Sequence, residues 1–246
     1  MSKRVFIGVG HGGSDPGAVG RVVEKTANLT MAMEVKRILE RSGVTVGISR
    51  ERDEEDSLTD EIRECNAFRP DLAVEIHNNS GGGDGFEAYV QTNAYAGKSR
   101  AAAEAIEERV VASGQNSRGI KTRKNSTGTA DYFGWLREVK APAVLLEGFF
   151  VDGPEAKDYD TAAEQKKLAK AYAMGIGDYL GIKIKEDKIM YKTFDNVPKW
   201  GQEAVRAALN KGILKGEGLD KDGNVILNLS EDMTRMIVIL HRCGIF

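Results

Sequence analysis

Two histidines and two glutamates in this chain occupy positions that folding alone does not readily explain. His11 follows the apolar run Val5-Phe6-Ile7-Gly8-Val9 within GVGHGGSDPGAVG, and His77 closes the run LAVEIHNN. Glu24 opens an apolar-periodic stretch in VVEKTANL, and Glu147 interrupts the apolar run APAVLLEGFF. Two imidazoles and a carboxylate (His11, His77 and Glu24) are the ligand set of a catalytic zinc ion that keeps one position open. A structural zinc would take four protein ligands, usually with thiolates, and neither Cys65 nor Cys243 is placed to help. Glu147 is costly to bury without a partner. Beside a metal site a carboxylate has a use, because it takes a proton from an attacking water and passes it to a leaving amine. Each residue alone has a plainer reading: a polar strand end for either histidine, a helix start favoured by the macrodipole for Glu24, a salt-bridged strand residue for Glu147.

For these groups to meet, the fold must bring distant segments to one rim. Alternation along 72–77 puts Leu72, Val74 and Ile76 on one face and Ala73, Glu75 and His77 on the other. The carboxyl ends of parallel strands gather at one edge of an α/β sheet, where ligand sites form. The turn formers between His11 and Glu24, Gly-Gly-Ser-Asp-Pro-Gly, fold Glu24 back beside the histidine. Strands are expected at 4–9, 44–48, 72–77, 85–91, 119–124 and 143–150, with helices over 24–42, 57–68, 99–112 and 161–180. Ala27, Met31, Val35 and Ile38 carry the period of the first helix, Ser57 is a candidate N-cap, and Gly43, Pro70 and Gly181 are stops. Strands alternating with helices predict an α/β protein with a mostly parallel sheet flanked by helices.

Composition excludes several classes. A chain of 246 residues with 41% hydrophobic and 29% charged residues has ample material for a core. A formal net charge of -2 argues against general binding to nucleic acid or to a membrane surface. No apolar run reaches the ~18 residues that span a bilayer. MSKRVFIGVG lacks the apolar core of a secretory signal, so synthesis in the cytoplasm without a signal peptide is expected. Cys65 shares an apolar helical stripe with Leu58 and Ile62 and reads as core. After Gly181 the charged stretch IKIKEDKIMYKTFDNVPK reads as a linker. The expected organisation is a catalytic domain at 1–181, a linker at 182–198 and a small module at 199–246 with helices near 200–213 and 230–243.

GHGGSDPGAVG, Glu24, SLTDEIRECN, DLAVEIHNN with GFEAYV, SRGIK and APAVLLEGFFVDGPEA occur in that order. Together they resemble the zinc-dependent N-acetylmuramoyl-L-alanine amidases of the amidase_3 type, over roughly residues 3–181. The resemblance implies a six-stranded, mostly parallel sheet, with His11, Glu24 and His77 as ligands of one Zn2+ and Glu147 as the catalytic glutamate. It implies hydrolysis of the amide between the lactyl group of N-acetylmuramic acid and L-alanine in peptidoglycan. Two departures stand out: Glu75 replaces the serine common two places before the second histidine, and Val151-Asp152-Gly153 replaces the usual Ser-Asn. Glu75 reads as a residue beneath the metal, and Asn78 and Arg118 as candidate substrate contacts.

The tail, FDNVPKWGQEAVRAALNKGILKG with LSEDMTRMIVILHRC, resembles an S-layer-homology repeat. That implies a secondary cell-wall polymer as partner, or homo-oligomerisation, since such repeats usually act in threes; a helical hairpin that only packs is the plainer reading. His241 lies in this tail, away from the other histidines. The whole reads as a phage endolysin or an autolysin that acts on the cell wall after release. A wall-binding protein with an inactive amidase fold, and a zinc peptidase or deacetylase, are the alternatives.

Overall fold

Residues 2–185 and 190–246 are described in the computed structural model, and they fall into two compact units divided at Lys185/Glu186. In the first unit the chain runs β1 (Arg4–Val9), α1 (Glu24–Arg41), β2 (Thr45–Ile48), α2 (Leu58–Phe68), β3 (Leu72–Asn79) and β4 (Phe86–Val90). It continues through α3 (Ala96–Ala112), β5 (Ser117–Lys121), α4 (Gly134–Glu138), β6 (Ala143–Phe150) and α5 (Ala162–Leu180). The six strands form one sheet in the order β2-β1-β3-β6-β4-β5. All neighbours are parallel except β4 and β6, which run antiparallel. The carboxyl ends of β1, β3 and β6 therefore share a rim with the amino ends of β4 and β5.

Strand alternation divides the core between the two faces. Val5, Ile7, Val74, Ile76, Val144 and Leu146 pack in the larger cluster, which also takes in the buried faces of α1, α3 and α5. Phe6, Ala73, Ala143 and Leu145 point the other way and pack with Cys65 of α2 and with Trp135 and Leu136 of α4. Local signals set the helix ends as the sequence leads one to expect. Ser57 accepts a hydrogen bond from the Asp60 N–H, and Thr161 and Glu164 form a capping box, each such N-cap contributing about 1 kcal/mol; Gly181 ends α5 in the left-handed conformation.

Two elements differ from expectation. The strand expected at 119–124 lies at Ser117–Lys121, because its position is set by pairing with β4. Helix α4 has no counterpart in the sequence reading, since five residues are too few to display a helical period.

The second unit holds a two-stranded ladder, β7 (Met190–Tyr191) with β8 (Leu229–Ser230), and two helices, α6 (Lys199–Asn210) and α7 (Glu231–Arg242). Val197, Val205, Leu227 and Leu229 form its small core, and Ser230 caps α7 by accepting from the Met233 N–H. Of the expected linker at 182–198, residues 186–189 lie outside the described residues. On either side of them, Ile182 and Ile184 pack against the core of the first unit, and Met190–Tyr191 belongs to the ladder of the second. Both flanks carry apolar side chains that burial rewards, which outweighs the local charge.

Candidate active site

The loop after β1 is built to hold one imidazole. His11 has φ 63°, a left-handed conformation that a residue with a side chain adopts only when its surroundings impose it. Those surroundings are specific. The Gly10 N–H donates to Ile76 O (3.1 Å), while Asn28 Nδ2 and Arg50 Nη2 both donate to Gly10 O, at 3.0 and 3.2 Å. Gly12 and Asp15 exchange two backbone hydrogen bonds that close the turn. Gly10 has no side chain because the His77 ring occupies that space: a Cβ there would lie 2.2 Å from His77 Cε1.

Glu24, the first residue of α1, stands between the two imidazoles. Its Oε2 is 3.2 Å from His11 Nε2 and its Oε1 is 3.0 Å from His77 Nδ1. The carboxylate is fixed from behind by the N–H groups of Ala18 (2.8 Å) and Asn78 (3.1 Å). One donor atom from each of His11, Glu24 and His77 lies within 4.8 Å of the others. Three ligands of a tetrahedral ion with ~2.0–2.1 Å bonds sit about 3.4 Å apart, so the trio could hold a metal ion. The other ring nitrogens also face carboxylates: His11 Nδ1 meets Asp15 Oδ2 at 2.8 Å, and His77 Nε2 meets Glu75 Oε1 at 3.3 Å. Each imidazole therefore turns one nitrogen to the centre and the other to an orienting acid, as metal-bound histidines do.

Electrostatics follow from burial and from these contacts. Burial opposes ionisation of Glu24, but the hydrogen bonds from His11 and His77 win and hold it well below the usual carboxylate range. Contact with Glu24 raises His11. For His77 burial acts downward, yet Glu75 and Glu24 lift it well above an ordinary imidazole. Glu147 sits beside His77 in the β3–β6 register, and its Oε2 has no hydrogen-bond partner among the described residues. Burial pushes its carboxyl up to about 7, against the pull of His77. Glu61 lies under the floor, accepting from the Val9 N–H at 2.9 Å; burial and then the neighbouring Glu75 push it up to about 8. Above these groups opens a pocket of about 300 Å³ whose walls include His11, His77, Glu147, Leu58, Phe133 and Trp135.

A family model described as N-acetylmuramoyl-L-alanine amidase (Amidase_3) matches residues 5–178. The chain belongs to this family. It is an N-acetylmuramoyl-L-alanine amidase, and peptidoglycan is the substrate that this activity implies. The sporulation-specific N-acetylmuramoyl-L-alanine amidase of Bacillus subtilis is 35% identical over 193 residues, covering 77% of this chain and 72% of the relative. The endolysin of Bacillus phage SPP1 is 36% identical over 199 residues, 75% and 69% of the two chains. Among solved structures, the catalytic domain of CwlV from Bacillus (Paenibacillus) polymyxa aligns with a TM-score of 0.65 at 32% identity, covering 74% of this chain and 99% of that one. Cwp6 from Clostridium difficile aligns with a TM-score of 0.70 at 32% identity over 73% of this chain; the match spans 30% of Cwp6.

In this amidase the fold brings His11, Glu24 and His77 together, sets Glu147 beside them and places Glu75 behind His77. Asn78 is only 3% exposed, its Nδ2 donates to Asn28 Oδ1 at 2.7 Å, and it is not among the residues lining the pocket. Its neighbour His77 takes the pocket face, so alternation turns the Asn78 side chain inward onto Asn28, while its backbone N–H holds Glu24. Arg118 lies on β5, ion-paired to Glu87. His241 lies in the second unit, its ring beside Phe246. Asp15, Asn28, Arg50 and Glu61 are site residues that sequence reasoning missed. For two of them a signal existed: Asn28 shares a helix face with Glu24, and Glu61 with Cys65, each four residues apart. Arg50 and Asp15 gave none, because loop contacts have no period.

Proposed function

We propose that this amidase depends on a single Zn2+ held by His11, Glu24 and His77, and that Glu147 carries the proton. The hydrolysed bond joins the lactyl group of N-acetylmuramic acid to L-alanine. The observation that carries the reading is the paired arrangement of the imidazoles, each with one nitrogen toward Glu24 and the other on a carboxylate. Zinc bound there supplies Lewis-acid polarisation of the scissile carbonyl and makes water acidic enough to attack near neutral pH.

The chain's own residues do the rest. Glu147 Oε2, without a hydrogen-bond partner among the described residues, takes a proton from the attacking water and delivers it to the alanine nitrogen as the C–N bond breaks. A carboxyl near 7 suits both halves of that exchange, since it gains and loses the proton at little cost. Asp15 and Glu75 fix the orientation of the two rings. Leu58, Phe133 and Trp135 give the pocket apolar walls that limit bulk water around the reacting groups. Cys65 is buried in the core, and the scheme needs no covalent intermediate.

For residues 190–246 we propose attachment to a secondary cell-wall polymer or to further copies of the chain. Trp200, Met233, Met236 and Ile239 are exposed on α6 and α7 and offer apolar side chains to such a partner. The place of action is the cell wall, as an endolysin or autolysin. The test is digestion of purified cell walls, with mass spectrometry of the products. Intact glycan and intact stem peptides with free N-terminal alanine are expected, with loss of activity in chelator and recovery on adding Zn2+. Activity indifferent to chelation would sink the metal reading, and products cut within the peptide or lacking acetyl groups would replace the amidase by a peptidase or deacetylase.

A further inference from the structure

Register extends the row of site residues past Glu147. His77 pairs with Glu147 across β3–β6, and Glu147 pairs with Glu87 across β6–β4, so the three side chains stand side by side on one face. The next strand breaks the pattern. Phe86 pairs with Ser117 and Ala88 with Ile120, so Arg118 and Gly119 together oppose the single residue Glu87. Such a bulge re-aims a side chain. Gly119 supplies the left-handed φ of 91° that the bulge requires. Arg118 is thereby turned onto Glu87: its Nε and the Nζ of Lys121 both reach Glu87 Oε1, at 2.5 and 2.6 Å.

One buried carboxylate thus holds two cations. The Glu87 side chain is 4% exposed, whereas those of Arg118 and Lys121 are 43% and 34% exposed. The trio carries a net positive charge at the rim. Arg118 uses Nε on Glu87 and lays its guanidinium 5.2 Å from the Phe150 ring centroid. Its Nη atoms have no hydrogen bond among the described residues, and the side chain as a whole is partly exposed. The pocket lining has the opposite character: Asp15, Glu55, Asp56, Glu61, Glu75 and Glu147 contribute carboxylates, and no lysine or arginine is among them. An anionic substrate group lying beyond the metal position finds charged donors toward β5, where Arg118 and Lys121 stand.

We propose that Arg118 and Lys121, positioned by Glu87, form a subsite for a carboxylate of the stem peptide on the leaving-group side of the scissile bond. The inference rests on the amidase reading and on Glu147 lying at the reacting bond. The residue that follows L-alanine in the stem is acidic and carries a free α-carboxylate, or a neutral carboxamide in amidated walls. That group lies about two residue lengths, ~7 Å, from the scissile amide. The cations lie one to two strand spacings, ~5–10 Å, from Glu147. The donors on β5 then set the substrate's direction, with the peptide over β4 and β5 and the uncharged lactyl and sugar end in the partly apolar pocket.

The test uses two soluble substrates for the full chain loaded with Zn2+: N-acetylmuramoyl-L-alanyl-γ-D-glutamyl-L-lysine and its isoglutaminyl counterpart. The wild-type protein is expected to favour the carboxylate substrate by about tenfold or more in kcat/KM, through KM, the effect of one or two charge-assisted hydrogen bonds. Arg118→Gln is expected to bring the ratio of the two kcat/KM values close to one. Glu87→Gln, acting through the cations, is expected to raise KM for the carboxylate substrate with little change in kcat. A merely structural Glu87 would lower kcat on both substrates alike. Should Glu87→Gln fail to fold, the exposed Arg118→Gln decides. Equal cleavage of both substrates by the wild-type protein overturns the subsite alone. Failure to release either peptide overturns the amidase reading, and the subsite with it.

Discussion

Replacing Gly10 by alanine is expected to destroy metal binding without touching a ligand. The new Cβ would lie 2.2, 2.4 and 2.6 Å from His77 Cε1, Nε2 and Nδ1. Carbon atoms settle near ~3.5–4.0 Å, so ring and backbone must part by more than about 1 Å. The backbone resists, because Ile76, Asn28 and Arg50 hold both the N–H and the C=O of Gly10. The ring therefore moves, and metal–ligand distances tolerate only about 0.2 Å. Loss of one of three protein ligands is expected to weaken Zn2+ binding at least about 100-fold, or about 2.7 kcal/mol. Competition against a chromophoric chelator measures this, with circular dichroism to show that the fold persists. Gly97→Ala is the control, since a Cβ there meets nothing within 4 Å and the residue is helical; it is expected to leave affinity unchanged and to add up to ~1 kcal/mol of stability. A folded Gly10→Ala protein that binds Zn2+ as tightly as the wild type would refute the account of how β1 and β3 build the site.

Asp15→Asn and Glu75→Gln remove the acids behind the two imidazoles, and each is expected to lower Zn2+ affinity about 10- to 100-fold; unchanged affinity in both would deny those carboxylates an orienting role. Glu147 must be ionised to accept a proton, and burial raises it to about 7, so kcat/KM is expected to rise about tenfold per pH unit below that point and level off above it. Glu147→Gln is expected to keep the metal and lose about 10²-fold or more in kcat, and a full-rate variant would remove Glu147 from the reaction. Glu61 titrates near 8 in the folded protein, above its ordinary 4.5, so the folded state keeps a proton that the unfolded state has lost. Stability should fall as pH rises from about 4.5 to 8, and Glu61→Gln should escape that loss. Melting curves of the two proteins that stay parallel from pH 5 to pH 8.5 would show the Glu61 carboxyl to be unperturbed.

Much of the fold was legible because its signals are local. The β6 run Ala143–Phe150 is continuous apolar sequence, α1 carries its apolar period from Ala27 to Ile38, and Ser57, Thr161 and Gly181 act on neighbouring backbone groups. The residues that meet at the site were legible for a related reason: a histidine at a strand end (His77) and a glutamate inside an apolar strand (Glu147) conflict with packing, and such conflicts mark candidate sites.

What surrounds those residues depends on register and on contacts between distant segments. The amino-acid sequence by itself determined which side chains stand at the strand ends and helix start: His11, Glu24, His77 and Glu147. Only the tertiary structure decided that Asp15 backs the His11 ring, that the Asn78 side chain turns inward onto Asn28, and that a bulge opposite Glu87 aims Arg118 along the same row. Helical and strand periods are written in neighbouring residues, whereas pairing register is chosen by the packing of the whole sheet.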